Sequence, residues 1–159
     1  MSANFNIEEV CEKCYYDPRS HSFHLLSENN GECYFYTCPA NAKCYDDAPG
    51  IIKHMKIKLK NIEKPWIWIF DCAGYGLKHL SSPSVGKNIA GFLNSDESIL
   101  LKNIIVVNEN ITSRIMFNTF WYLLEKRIQD IIVFDRTKEF AKILDYEERL
   151  SMLEMSLIY

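Results

Sequence analysis

Residues 66–70, Trp-Ile-Trp-Ile-Phe, are five bulky apolar side chains in unbroken succession, closed by Asp71 and a turn broken at Gly74 and Gly76. A run this short and this uniformly apolar reads as a strand buried on both faces, because a half-exposed strand would interleave polar residues. The theme recurs: residues 104–107 are all β-branched and end at Asn108, and residues 131–134 are apolar and end at Asp135.

Helical patterns fill the intervals. Asp46-Asp47-Ala48-Pro49 supplies an acidic cap and a first-turn proline. Ile51, Met55, Leu59 and Ile62 then recur at helical spacing, with Lys53, Lys56, Lys60 and Lys64 on another face. Ser82-Pro83 opens a second helix with Val85, Ile89 and Phe92 inward, and Thr112 or Ser113 caps a third that runs to about Gln129. A last amphipathic helix, in one or two pieces, carries Phe140, Ile143, Leu150, Leu153 and Leu157. Residues 32–37 read as an aromatic strand, and residues 1–30 as polar and irregular, with turns at Asp17-Pro18 and Asn29-Asn30-Gly31. The order from residue 50 is αβαβαβα. It predicts an α/β fold, a mostly parallel sheet covered by helices on both faces. One domain spanning 1–159 is expected, with 1–31 an irregular N-terminal segment and 136–159 a C-terminal helix.

Composition narrows the function. A chain of 159 residues, 48% hydrophobic, suits a single well-filled core, and the 13% aromatic content suits a dense interior or an apolar pocket. The net charge of −3 lacks the basic excess of a nucleic-acid binder, so no nucleic-acid partner is expected. The N-terminus has no secretory pattern, and no apolar run approaches the roughly 20 residues that cross a bilayer. The expectation is a cytoplasmic protein with six reduced cysteines, peripheral at membranes if it meets them.

Catalytic motifs are weak. Gly74-Tyr75-Gly76 follows a strand but lacks the third glycine of a dinucleotide turn, since Lys78-His79 stands there. No phosphate loop and no G-x-S-x-G elbow occurs. Asp71 stands without a second carboxylate at a telling spacing, which favours a turn cap over a catalytic acid. No enzyme activity and no cofactor is expected. Cys11-x-x-Cys14 followed by His21-x-x-His24 offers four zinc-type ligands, Cys11, Cys14, His21 and His24. The spacing departs from zinc fingers, and reduced cysteines packed in a core are the reading the sequence favours. The lysine stripe on the first helix suits an anionic lipid surface, though a solvated face is the commoner meaning. The third helix is apolar around most of its circumference, which demands more than one packing partner: sheet plus a helix, a lipid or a second subunit.

The motif at 66–80, an apolar strand, Asp71, Gly74 and then Leu77-Lys78-His79-Leu80, resembles the central motif of CRAL-TRIO domains, the lipid-binding domains of the yeast phosphatidylinositol-transfer protein family. Residues 98–108 are similar to that family's second block, in which a short helix leads into an apolar strand ending in Asn. Residues 111–127 and 131–134 resemble the helix and strand that follow, and 50–59 the helix before the central strand. The likeness covers about residues 32–135. Departures mark it as a divergent, minimal version: Ser95-Asp96 replaces the usual Tyr-Pro, and the chain ends in a helical pattern. The resemblance implies an α/β sandwich whose sheet floors an apolar cavity, and non-enzymatic binding of a lipid or other hydrophobic small molecule. On that basis Trp66, Trp68, Phe117, Phe120 and Trp121 are the expected lining, and Lys78, His79 and Arg114, just past strand ends, the polar mouth. The alternative is a protein-interaction module of the same fold, self-associating as a homodimer.

Overall fold

The computed structural model describes residues 10–136. The expected helix at the C-terminus lies outside the described residues. The chain order is α1 (Glu12–Tyr16), β1 (His24–Asn29), β2 (Glu32–Thr37), α2 (Ala48–Leu59), β3 (Trp66–Asp71), α3 (Leu77–Leu80), α4 (Pro83–Asn94), β4 (Leu101–Val107), α5 (Ile111–Phe120), α6 (Lys126–Gln129) and β5 (Ile132–Phe134). The five strands form one sheet in the order β1-β2-β3-β4-β5. β1 and β2 pair antiparallel, and the pairs β2-β3, β3-β4 and β4-β5 are parallel.

Residues 10–31 hold more order than their polarity suggests. α1 is one short turn whose N-cap is Cys11. β1 is exposed along nearly its whole length and exists because β2 offers it a hydrogen-bonding edge. The hairpin turn has Asn30 at φ 53° and Gly31 at φ 76°, the left-handed pair that matches the twist of antiparallel strands.

Three consecutive crossovers, through α2, α4 and α5, advance in one direction across the parallel strands. Right-handed crossovers then deliver their helices to the same face. α2, α4 and α5 all pack on the face that carries Phe35, Trp66, Trp68, Phe70, Ile104 and Val106. The opposite face carries a second cluster around Ile69 and Val107 with Leu26, Tyr34, Tyr36 and Ile105, and no described helix packs there. The expectation of helices on both faces is thus met on one face among the described residues. All six residues of β3 are buried, the five apolar side chains of 66–70 as their continuous run requires. Each such side chain contributes roughly 1.5–3 kcal/mol on burial. The Trp68 indole N–H donates to Thr37 Oγ1 at 2.8 Å, so its polar edge is satisfied inside the core.

The third helix differs from expectation. Asn110, not Thr112 or Ser113, is its N-cap, accepting from the Ser113 N–H while the Ser113 hydroxyl accepts from the Asn110 N–H. It stops at Phe120, passes through a 3₁₀ turn at Trp121–Leu123, and resumes as α6. No glycine or proline marks the break. Asn94, the last residue of α4, stabilises it by donating to the Leu123 carbonyl at 2.7 Å and accepting from the Glu125 N–H at 2.9 Å. The excess of apolar residues is resolved partly by exposure, since Ile111, Ile115 and Tyr122 face solvent. Among the described residues no helix is long and apolar enough to cross a membrane.

Two glycines with open space around them give opposite expectations for one substitution. Gly31→Ala forces a side chain into left-handed backbone and should lower stability by about 1 kcal/mol. Gly91→Ala, in the exposed part of α4, should raise it by up to about 1 kcal/mol. Urea unfolding midpoints of the two variants check this; shifts of the same sign would refute it.

Candidate functional site

A cavity of about 90 Å³ lies between the helix-covered face of the sheet and α2, α4 and α5. Trp68 and Phe70 form its floor. Met55 of α2, Val85 and Ile89 of α4, and Met116 and Phe120 of α5 form its walls. Tyr45, Tyr75 and His79 close one end. Gly86 shapes it too, because a Cβ there would lie 2.5 Å from Phe120 Cε2. Only a residue without a side chain lets the Phe120 ring lie against α4.

The polar end is built by the turn after β3. Asp71 accepts from the Ala73 N–H at 2.9 Å, from Asn108 Nδ2 at 2.9 Å and from the Tyr36 hydroxyl at 2.5 Å. This is the capping role that its isolation in sequence favours. Asn110 Nδ2 reaches the carbonyls of Cys72 and Tyr75, both at 3.1 Å, and Gly74 takes a left-handed φ of 73°. The turn is therefore fastened to the end of β4, and it delivers α3 with His79 at its third position.

His79 is 5% exposed. Its Nδ1 accepts from the Gly76 N–H at 3.0 Å, so in the neutral ring the proton sits on Nε2. That Nε2 is buried and reaches no hydrogen-bond partner. Burial, and then the nearby Lys78 charge, hold the His79 pKa below its ordinary value, opposed by the Pro39 backbone. The Pro39 backbone lies close enough to the ring to favour its protonated form. Tyr75 stacks on the imidazole at 5.1 Å and Tyr45 meets it edge-on at 4.6 Å. Burial pushes the Tyr75 hydroxyl up to about 12, a second sign of a poorly hydrated enclosure.

Of the expected lining, Trp68 and Phe120 face the cavity, and of the expected mouth, His79 does. Trp66 does not: it is 1% exposed and sealed among Phe23, Phe35 and Trp68. Phe117 packs edge-on between Phe70 and Phe134. Phe117, Trp121 and Arg114 border a separate open cleft beside the ends of β4 and β5. There Arg114 is ion-paired with Glu109. Lys78 stays outside, its ammonium 5.7 Å from the Tyr45 ring centre. Tyr45, Met55, Tyr75, Ile89 and Met116 are among the other side chains that line the cavity. In sequence each is an ordinary apolar residue, and only the packing shows the void they share.

The N-terminal ligand group is also rearranged. Cys11, Cys14 and His21 meet in space, but His24 is not with them. It lies on β1 against the Tyr36 ring, and His54 of α2 stands in its place. In the lysine stripe, Lys56 and Lys64 pair with Glu97 and Glu28, as on a solvated face.

No protein-family model matches the chain, and no curated protein matches it. Among solved structures, the crystal structure of Sfh5 superimposes with a TM-score of 0.63 at 12% sequence identity, covering 84% of this chain and 55% of Sfh5. The chain thus spans little more than half the length of that neighbour. At this identity the likeness shows the fold alone, an α/β fold with a mostly parallel sheet packed against helices.

Proposed function

We propose that the chain is a non-enzymatic module that binds a hydrophobic small molecule, a lipid chain end or a compact ring, in the cavity above Trp68 and Phe70. One observation carries this reading: the buried, unpartnered Nε2 of His79 at the end of an otherwise apolar enclosure. A buried donor without a partner costs on the order of 1–3 kcal/mol, and a ligand carbonyl, hydroxyl or carboxylate would recover it. Apolar walls supply affinity by area and one polar group fixes orientation, the usual division of labour in small-molecule sites. The CRAL-TRIO-like fold supports a lipid as the ligand class. A volume of about 90 Å³ is below the roughly 150 Å³ that accommodates benzene in an apolar protein cavity. Binding therefore involves widening, for which Met55 and Met116 are suited by their flexible thioethers.

A second reading, a protein-interaction module, is favoured by the exposed apolar residues Ile111, Ile115 and Tyr122 along α5 and the turn that follows. Light scattering that shows concentration-dependent association, lost on Ile115→Glu, would support it.

Native mass spectrometry of the purified chain with dodecanol, dodecanoate and dodecane tests the cavity. A saturable one-to-one complex is expected, with the acceptor-bearing ligands preferred over the alkane. Gly86→Ala drives the Phe120 ring into the void and should weaken uptake at least tenfold while the chain stays folded. A chain that arrives without lipid and takes up none of the three would sink the reading.

The charge state of His79 gives a pH signature. The unfolded imidazole binds a proton below its ordinary pKa of about 6.5, and the folded one does so only at lower pH. The unfolded state then holds more protons, so this contribution to stability is lost as pH falls below about 6.5. The wild-type chain should lose stability on acidification more steeply than His79→Gln. Parallel denaturation curves for the two across pH 7.5 to 5.5 would refute the assignment.

A further inference from the structure

We propose that Cys11, Cys14, His21 and His54 form a tetrahedral site for a structural zinc ion. All four side chains are buried, and their ligand atoms lie within 4.8 Å of one another. Cys11 Sγ is 3.3 Å from His21 Nδ1 and 3.4 Å from His54 Nδ1, and Cys14 Sγ is 3.6 Å from His21 Nδ1. Zn–S bonds of about 2.3 Å and Zn–N bonds of about 2.0 Å place tetrahedral sulfur and nitrogen about 3.5 Å apart. The cluster has the size of a zinc coordination shell.

The outer contacts decide the tautomers. His21 Nε2 meets the Asp47 carboxylate at 3.0 Å, and His54 Nε2 meets the Phe23 carbonyl at 2.8 Å. Neither oxygen can donate, so both rings carry their proton on Nε2 and turn a bare Nδ1 lone pair toward the sulfurs. A histidine held by a carboxylate or a carbonyl on its far nitrogen is the arrangement that orients metal ligands. A metal-free account fits less well. Two nitrogen lone pairs converge on Cys11 Sγ and the Cys14 backbone N–H points at the same sulfur at 3.4 Å, so without a metal one lone pair is left to the more distant Cys14 thiol, 3.6 Å from His21 Nδ1. Two thiolates, two imidazoles and Zn²⁺ sum to zero charge, which a buried site tolerates. Outside them Asp47 is neutralised by Lys13 at 3.0 Å.

The ion would do structural work. It would tie α1 and the loop at His21 to the middle of α2, and the same loop continues through Ser22 and Phe23 into the cavity wall. Asp47 would be a positioning residue as well as the N-cap of α2.

Metal analysis of the reduced, purified full chain tests the site. About one zinc ion per chain is expected. Replacement by Co²⁺ should give the intense visible absorption of tetrahedral cobalt with thiolate ligands. His54→Asn and Cys14→Ser should abolish stoichiometric binding, and His24→Asn should retain it. Asp47→Asn keeps a cap but loses the carboxylate, and should weaken zinc affinity about tenfold. Should the ligand variants fail to fold, the cobalt spectrum of the wild-type chain and the His24→Asn chain decide the matter. A folded wild-type chain that takes up neither metal, an octahedral cobalt spectrum, or equal loss in the His24 variant would overturn the proposal.

Discussion

The three hydrogen bonds accepted by Asp71 hold the architecture in register. β3 is buried on both faces and paired on both edges, so its end is where the backbone must leave the sheet without stranding polar groups. Asp71 solves this by taking the Ala73 N–H, the Asn108 amide and the Tyr36 hydroxyl together. These partners come from the following turn, the end of β4 and β2. One carboxylate therefore joins three consecutive parallel strands at their C-terminal ends, and the turn that carries His79 inherits its position from that junction. A carboxylate so fully engaged in hydrogen bonds serves the fold rather than a reaction.

Sidedness follows from the strand order. In a sheet wound from its centre outward, a ligand crevice opens where the winding reverses. Here the order never reverses between β2 and β5, so no such crevice forms. The cavity arises instead between the sheet and the helices stacked on one face. Its size depends on how closely α4 and α5 lie, and at Gly86 the Phe120 ring occupies the space that a Cβ would take. The chain thus meets its void through packing geometry rather than through topology.

This explains what was legible in the sequence. The parallel strands announce themselves, because burial on both faces leaves no room for polar residues, and β3, β4 and β5 all stand where the apolar runs lie. The turn at Asn30-Gly31 is legible because left-handed backbone selects those residues. The break between α5 and α6 is not, since the groups that stabilise it belong to Asn94, some thirty residues upstream. β1 is hidden for a similar reason: a polar strand is made by its neighbour's edge. Trp68, Phe120 and His79 reach the cavity while Trp66 does not. Trp66 and Trp68 share one face of one strand, and no periodicity distinguishes a wall with a void behind it from a wall packed solid.

The Cys/His cluster shows the same limit more sharply. His21 and His24 look like a pair because they are close in sequence, yet β1 begins at His24 and carries it to the exposed edge beside Tyr36. His54 arrives from the middle of α2, brought in by the packing of that helix beneath Phe23. Phe23 links the two regions: its ring stacks on Phe35 at 4.8 Å within the core and lines the cavity, while its carbonyl holds the His54 imidazole. A residue that faces the cavity with its ring and the cluster with its backbone cannot move without disturbing both. Order in the N-terminal segment is therefore coupled to the shape of the apolar enclosure.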